Sequence, residues 1–436
     1  MKPRVLIVGT VPYNKMSTSR ALKSYFNNWE KENLAQVFSI AKKPTKGQCS
    51  KFFQITDQRM LKRWFNKNIK TGIYYEDKDL DEEWTDINLE TEGNNKLINK
   101  LYSIGSSHTP FTHLIRKILW KKKYWCTKEF LSFIDEFKPE CVFLCFSDDF
   151  FINEIALFVA KRFNIPIVSS IGDDYYFNYK FSISPLYHIY KTKYRKIIRK
   201  IFKYSPNAIY IGNKIRDKYN SYFNISNGQT VYLTSDIIRK EFRPINKNNP
   251  LISYFGNISL GRNESLNQIA LALGKINPNY RLHVYSNETK KKYLKVFKNN
   301  PYLVFEGNIP YSEVLKKTNE SDIIILVEGF KKKDVNITRY SLSTKAADSL
   351  GSGSNVFVYG SLECGLIEYM LSTSSAVVCT NKEGLISCLT KFIDDSSLQY
   401  SLYQTAIKVF NNNHILDVST ARFENVIIDA IKNWKN

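Results

Sequence analysis

No two of the seven cysteines are spaced as CxxC, which excludes zinc-ribbon and thioredoxin-type sites. An odd number cannot all pair within one chain. Several sit in apolar runs such as Cys141-Val-Phe-Leu-Cys145, so buried free thiols in a reducing cytosol are expected. The five histidines (His108, His113, His188, His283 and His414) show no metal-ligand spacing, which argues against a metal site. Neither GxGxxG nor GxSxG occurs at a strand end, so a dinucleotide fingerprint and a hydrolase nucleophile elbow are both missing. No stretch approaches the roughly 20 apolar residues of a membrane span. The opening Met-Lys-Pro-Arg, followed by Val5 to Gly9, is too short an apolar run for a signal peptide. A cytoplasmic protein is expected, with any membrane contact peripheral. Acidic residues are scarce: 41 against 63 lysines and arginines, a formal charge of +22. That excess favours an anionic partner, whether nucleic acid, acidic lipid or a phosphorylated substrate. RRM, KH and zinc-finger signatures are absent, so nucleic acid is not the expected partner.

What is present is ordinary globular material. Hydrophobic residues make up 43% and charged residues 24% of 436, enough for two or three domains. Apolar runs at 5–10, 35–40, 140–146, 166–171, 208–212 and 230–235 have the length of buried strands. Helical periodicity lies between them, as at 19–31 and 150–163. A polar stretch at 242–250 reads as a linker. A second strand series follows at 251–256, 281–286, 303–307, 322–328, 355–360 and 376–380, and 387–434 reads as helical. The pattern predicts two doubly wound, Rossmann-like α/β domains facing a cleft. They span 1–243 and 244–415, and a C-terminal helix over 416–436 crosses back to the first. Residues 57–100, locally acidic through Glu76, Asp77, Asp79, Asp81, Glu82 and Glu83, carry no strand signal and predict a long surface excursion. Ligand is expected between the domains, at the carboxyl ends of the strands.

Three segments carry candidate chemistry. The first loop, Gly9-Thr-Val-Pro12-Tyr-Asn-Lys-Met-Ser17-Thr18-Ser19-Arg20, sets a Ser-Thr-Ser run ahead of a helix. It is either a plain N-cap or a helix N-terminus that receives a phosphate or sugar hydroxyl. The second domain opens with Tyr254-Phe-Gly256-Asn257-Ile-Ser-Leu-Gly261-Arg262. Gly256 allows close backbone approach to a ligand, and Arg262 suits a diphosphate; the plainer reading is a surface arginine at a helix start. Further on, Ser343 is expected to cap a short helix. Lys345 falls in its first turn, where the dipole disfavours a cation unless an anion faces it. Asp348 lies three residues on, on the same face, where it suits ribose hydroxyls.

These segments resemble the nucleotide-sugar half of GT-B glycosyltransferases, especially the retaining group-1 or family-4 type. Asp348 to Gly353 has the spacing of the family's E-A-L-A-x-G pattern, and Phe305-Glu-Gly307-Asn-Ile-Pro310 resembles its F-x-G segment. The resemblance implies transfer of a sugar from a UDP- or GDP-linked donor to an acceptor. That acceptor is expected to be a lipid-linked glycan for bacterial cell-surface polysaccharide. Retention of configuration is implied, without metal or other cofactor. The donor site would comprise Gly256, Asn257, Arg262, Asn308, Ile309, Glu328, Ser343, Lys345 and Asp348. Arg262 and Lys345 would neutralise the diphosphate, Asp348 would hold the ribose, and Asn308 and Ile309 would lie beside the base. The family's acidic pair is E-x7-E, but Tyr340 stands eight residues before Asp348. Glu328-Gly-Phe330 resembles the motif's start, followed by an apparent insertion. Either Glu328 folds back into the site or the first acid is lost. A noncatalytic partner subunit and a protein glycosyltransferase are the alternative readings.

On the first domain, Gly172-Asp173-Asp174 ends a strand, where a carboxylate suits acid-base work. Adjacent residues of an extended chain point apart, so Asp173 is expected to face the cleft. Ser17, Thr18, Arg20 and Asp174 are assigned to the acceptor side. Ser147-Asp148-Asp149 reads as the cap of the next helix. Tyr187, Tyr190, Tyr194, Ile197, Ile198 and Ile201 share one helical face, expected to pack inward beneath an outer face of lysines and arginines. Residues 114–128 combine six lysines and arginines with Trp120, Tyr124 and Trp125. Such a helix is expected to dock on an anionic membrane through its tryptophans, or to be a solvated face.

Overall fold

Val5, Leu6, Ile7 and Val8 are 0% exposed and form β1 (Val5–Val8), a central strand of the first sheet. Each such burial stabilises the fold by roughly 1.5–3 kcal/mol, which is why short β-branched runs became strands. The computed structural model describes residues 2–14, 20–82, 109–178 and 182–435. Beside β1 lie β2 (Leu34–Phe38), β3 (Lys51–Ile55), β4 (Gly72–Glu76), β5 (Cys141–Cys145), β6 (Ile167–Ile171), β7 (Asn207–Tyr210) and β8 (Asn227–Thr230). Their order is β4-β3-β2-β1-β5-β6-β7-β8, parallel except for the antiparallel β3–β4 pair.

The second sheet holds β9 (Ile252–Phe255), β10 (Leu282–Tyr285), β11 (Leu303–Gly307), β12 (Ile323–Val327), β13 (Asn355–Tyr359) and β14 (Val377–Cys379). It is parallel throughout, in the order β11-β10-β9-β12-β13-β14. Strand order therefore reverses at β1/β5 and again at β9/β12. Crevices for ligands open outside the carboxyl ends at such points.

Several expectations need correction. The segment after residue 57 is no plain excursion: it forms the helix Asp57–Phe65 and the edge strand β4. That strand was hidden because an edge position leaves its Gly-Ile-Tyr-Tyr-Glu only half-buried. Glu83 and the rest of that stretch through 100 lie outside the described residues. The strand expected over 230–235 lies earlier: β8 ends at Thr230, Val231 N donates once more to Tyr210 O at 2.9 Å, and residues 231–235 form no regular element. Trp120 and Trp125 are 1% and 2% exposed, so they are core rather than membrane anchors. Trp120 stacks on Phe151 at 3.6 Å and donates its Nε1 proton to Asp57 at 2.7 Å. The tyrosine and isoleucine face of the helix Pro185–Tyr204 is buried throughout.

The closing helix, Leu416–Lys435, packs on the first domain against β6, β7, β8 and the helix Arg20–Phe26. Its anchor is Phe423, 0% exposed, with ring centroids 5.2 Å from Tyr25, 4.8 Å from Phe26 and 5.3 Å from Phe143. Phe423→Ala should destabilise the first domain by about 3–5 kcal/mol in urea unfolding; a loss under about 1 kcal/mol would mean that the helix is peripheral to its stability.

Candidate functional site

At the carboxyl end of β9 the chain turns at Gly256, whose φ is +122°. A Cβ there would lie 2.1 Å from Lys345 Cε, so only glycine leaves room for that side chain. Lys345 opens the helix Lys345–Ser352 and keeps part of its surface exposed. It makes no ion pair or hydrogen bond among the described residues. Its Nζ sits 5.2 Å from the centroid of the Tyr254 ring. Burial, then the nearby Arg262 charge, push its ammonium down to about 8, against the pull of Glu328.

Arg262 begins the helix Arg262–Ile276, just after Gly261 at φ +78°. Its guanidinium is bidentate to Glu328, with Nε donating to Oε2 at 3.1 Å and Nη2 to Oε1 at 3.0 Å. Glu328, 2% exposed, follows β12 directly. It thus reaches the site despite the displaced spacing of the acidic motif. The pair is close to neutral, so among the described residues Lys345 is the net cation at this crevice.

Further along the cleft, Phe255 stacks on Tyr285 with centroids 5.0 Å apart at 16°, and Ile309 packs against this pair. Gly307, at φ +81°, turns the chain before it, and Asn308 is exposed beside it. This apolar ledge suits a flat ring. Asn257 is a turn residue: its Oδ1 accepts from Ser259 N at 2.6 Å. Ser343 does not cap the lysine helix. Thr344 holds that position, no side-chain cap bond forms, and Ser343 contributes its carbonyl to Ala346 N.

Asp348 joins the domains. Arg20 donates from Nη1 to Oδ2 at 2.9 Å and from Nη2 to Oδ1 at 2.6 Å. Ser235 Oγ and Tyr311 OH also donate to Oδ1, at 2.5 Å and 3.2 Å. The Arg20 Nε donates to Thr234 O at 2.8 Å. Arg20, assigned above to the acceptor, is therefore committed to a clasp between the two halves. The carboxylate assigned to ribose is the clasp's other jaw.

On the first domain, Asp173 and Asp174 do point apart. Asp174 is 4% exposed and accepts from Tyr176 N, Phe177 N and Tyr219 OH at 3.1, 2.8 and 2.8 Å. Burial raises its carboxyl pKa. It builds the loop, and its assignment to the acceptor does not survive. Asp173 is exposed and accepts from Ser341 Oγ of the second domain at 3.0 Å. Ser17 and Thr18 lie outside the described residues. Asp149 stands at the N-cap of the helix Phe150–Phe163 but makes no cap bond. It pairs with Arg116 and with His113, which is 3.3 Å from Asp148 and 3.5 Å from Asp149. Burial opposes charge on His113, yet the hydrogen bonds and charges of the two aspartates raise its pKa to about 9. No spacing rule joins residues 113 and 148, so this cluster had no signal in the sequence.

The Arg20–Asp348 pair is only 17% and 9% exposed, so losing one partner strands a buried charge. Arg20→Met should destabilise the protein by roughly 3–5 kcal/mol in urea unfolding at pH 7. A loss near zero would show that the clasp is solvent-compensated.

No family model matches the chain, and no curated protein matches it in sequence. Solved structures do match. A structure of HepE from Anabaena in complex with UDP superposes with a TM-score of 0.58 at 11% identity, covering 98% of this chain and 100% of that one. WaaG, a glycosyltransferase involved in lipopolysaccharide biosynthesis, gives 0.52 at 10% identity, over 97% and 99%. A structure of S. aureus TarM with UDP, fondaparinux and α-GlcNAc-glycerol gives 0.50 at 13% identity, over 68% of this chain. The chain spans only 58% of that TarM chain's length. With its two doubly wound domains facing a cleft, the chain has the fold of the GT-B glycosyltransferases.

Proposed function

We propose that the protein is a glycosyltransferase that moves a sugar from a UDP-linked donor to a glycan acceptor. The observation that carries this reading is Lys345, a cation without a carboxylate of its own, held over Gly256 beside the Arg262–Glu328 pair. A diphosphate at this crevice meets Lys345 directly, and the Phe255–Tyr285 ledge supports the base. As the bond between sugar and diphosphate breaks, charge gathers on the leaving oxygens. Preorganised cations stabilise that charge most where it develops. In this reading Lys345 and Arg262 supply the positive charge in place of a metal ion, and the reaction retains configuration. Asp173, which accepts a hydrogen bond from Ser341 of the second domain, is the carboxylate proposed for acid-base work on the acceptor.

The acceptor is proposed to be a lipid-linked glycan of bacterial cell-surface polysaccharide, met by a cytoplasmic protein at an anionic membrane. What supports a membrane is a surface other than the tryptophans. Phe111, Ile115 and Ile118 are 52%, 39% and 50% exposed along one face of the helix Pro110–Leu119. That helix packs against Pro185–Tyr204, whose Lys193, Lys196, Lys200 and Lys203 are exposed. Exposed apolar side chains beside a lysine-rich helix suit an anionic leaflet.

Lys345 supplies the test. Its depressed pKa leaves it charged below about pH 8 and neutral above. Binding a diphosphate above that pH must draw in a proton. UDP affinity, measured by calorimetry, should be level at pH 7 and fall by up to about tenfold per unit above pH 8. Lys345→Ala should bind weakly at every pH and release no UDP from UDP-sugars. Level affinity from pH 7 to 9, or wild-type turnover in Lys345→Ala, would overturn the assignment.

A further inference from the structure

A cavity of about 1090 Å³ lies between the helices Pro110–Leu119 and Pro185–Tyr204 of the first domain and Lys332–Thr338 of the second. Neither Arg20 nor Asp174, the described residues among those expected to hold the acceptor, lines it. Its wall is aromatic and aliphatic: Phe111, Tyr187, Tyr190, Leu186 and Ile337. Phe111 and Leu186 are also exposed, at 52% and 41%, so the wall runs outward onto the molecular surface. Asp334, another lining residue, would lie 3.0 Å from a Cβ at Gly261, beside the Arg262 helix start. The cavity thus borders the donor crevice.

Its charges are uneven. Lys191 lines it, is only 9% exposed, and donates from Nζ to Tyr175 O at 3.0 Å. An ammonium carries three donors, and no carboxylate pairs with this one among the described residues. A buried lysine without a counter-ion is costly unless an anion arrives. Burial and Arg195 push it down to about 8, against the pull of Asp174 and Asp148. Lys332 and Lys333 stand exposed on the opposite lip. Asp148 also lines the cavity, but it is matched by protonated His113, which stacks on Tyr190 at 4.7 Å.

We infer that this cavity binds an acceptor carrying a phosphate or diphosphate group, with the anion at Lys191, Lys332 and Lys333 and the body along the aromatic wall. That the ligand is the sugar acceptor rests on the glycosyltransferase reading; the phosphate contact does not. The same chemistry belongs to a lipid-linked phosphate and to a soluble sugar phosphate, and the aromatic wall running onto the exposed apolar face favours the first.

The test uses the full chain carrying Lys345→Ala, so that the donor crevice does not capture the probe. Octyl phosphate, octyl glucoside and inorganic phosphate are titrated by calorimetry at pH 7. Octyl phosphate should bind, and Lys191→Met should weaken it by roughly tenfold or more. The surface double variant Lys332→Ala/Lys333→Ala should weaken it in the same direction, and its position outside the core keeps it folded if Lys191→Met is not. Octyl glucoside should bind about tenfold more weakly than octyl phosphate or worse. Inorganic phosphate far weaker than octyl phosphate assigns the lipid-linked class; equal affinity retains the phosphate site and assigns the soluble class. The inference is overturned if octyl phosphate does not bind, if octyl glucoside matches it, or if both lysine variants bind like their parent. Failure of UDP to bind the unmodified chain would count against the donor reading alone.

Discussion

Enclosing an ammonium without giving it a carboxylate costs free energy that the rest of the fold must offset. Lys345 is in that position, and the geometry around it follows from the need to hold it there. The residue that follows β9 lacks a Cβ because the lysine stem crosses its backbone. Arg262, the other cation, is already bidentate to Glu328. That pair fixes orientation while adding little net charge, which among the described residues leaves Lys345 as the charge an incoming anion feels. A half-buried cation kept in this way is ordinarily functional, because an apolar residue of similar size would give a more stable protein.

The same physics recurs on the other side of the cleft. Lys191 is enclosed in the first domain with no carboxylate ion pair among the described residues, and His113 is held charged by two aspartates. The Arg20–Asp348 clasp ties the start of the helix Arg20–Phe26 to the helix of Lys345. Because Asp348 is three residues from Lys345, a shift of either domain that moves Arg20 acts on the turn of helix that carries the donor's cation.

Much of this was legible in the residues, and what was not has identifiable causes. Central strands such as β5 and β12 declare themselves because burial on both faces demands unbroken apolar runs. The helix Phe150–Phe163 was legible to the residue. Strands β4 and β8 were not, because edge positions allow Glu76 and the Asn-Gly-Gln-Thr of β8, and the internal β3 was hidden because Lys51 and Gln54 break its apolar run. Gly256, Arg262 and Lys345 could be singled out because each sits oddly for a purely structural role. Trp120 and Asp174 misled for the opposite reason: a large aromatic near lysines, or a carboxylate at a strand end, looks alike exposed or buried. Only three-dimensional packing, on Phe151 for one and Tyr219 for the other, distinguishes them. The His113–Asp148 pair and the Arg20–Asp348 clasp join residues remote in sequence, and no local pattern encodes them.

The central claim is that the bare backbone at Gly256 exists to let Lys345 meet a diphosphate. The most direct measurement is UDP affinity of Gly256→Ala by calorimetry, with melting temperature as the check on folding. The added methyl would lie 2.1 Å from Lys345 Cε, at a φ of +122° that disfavours alanine. The account predicts a folded protein whose UDP affinity falls by about two orders of magnitude or more. Affinity within about twofold of the unmodified protein would contradict it.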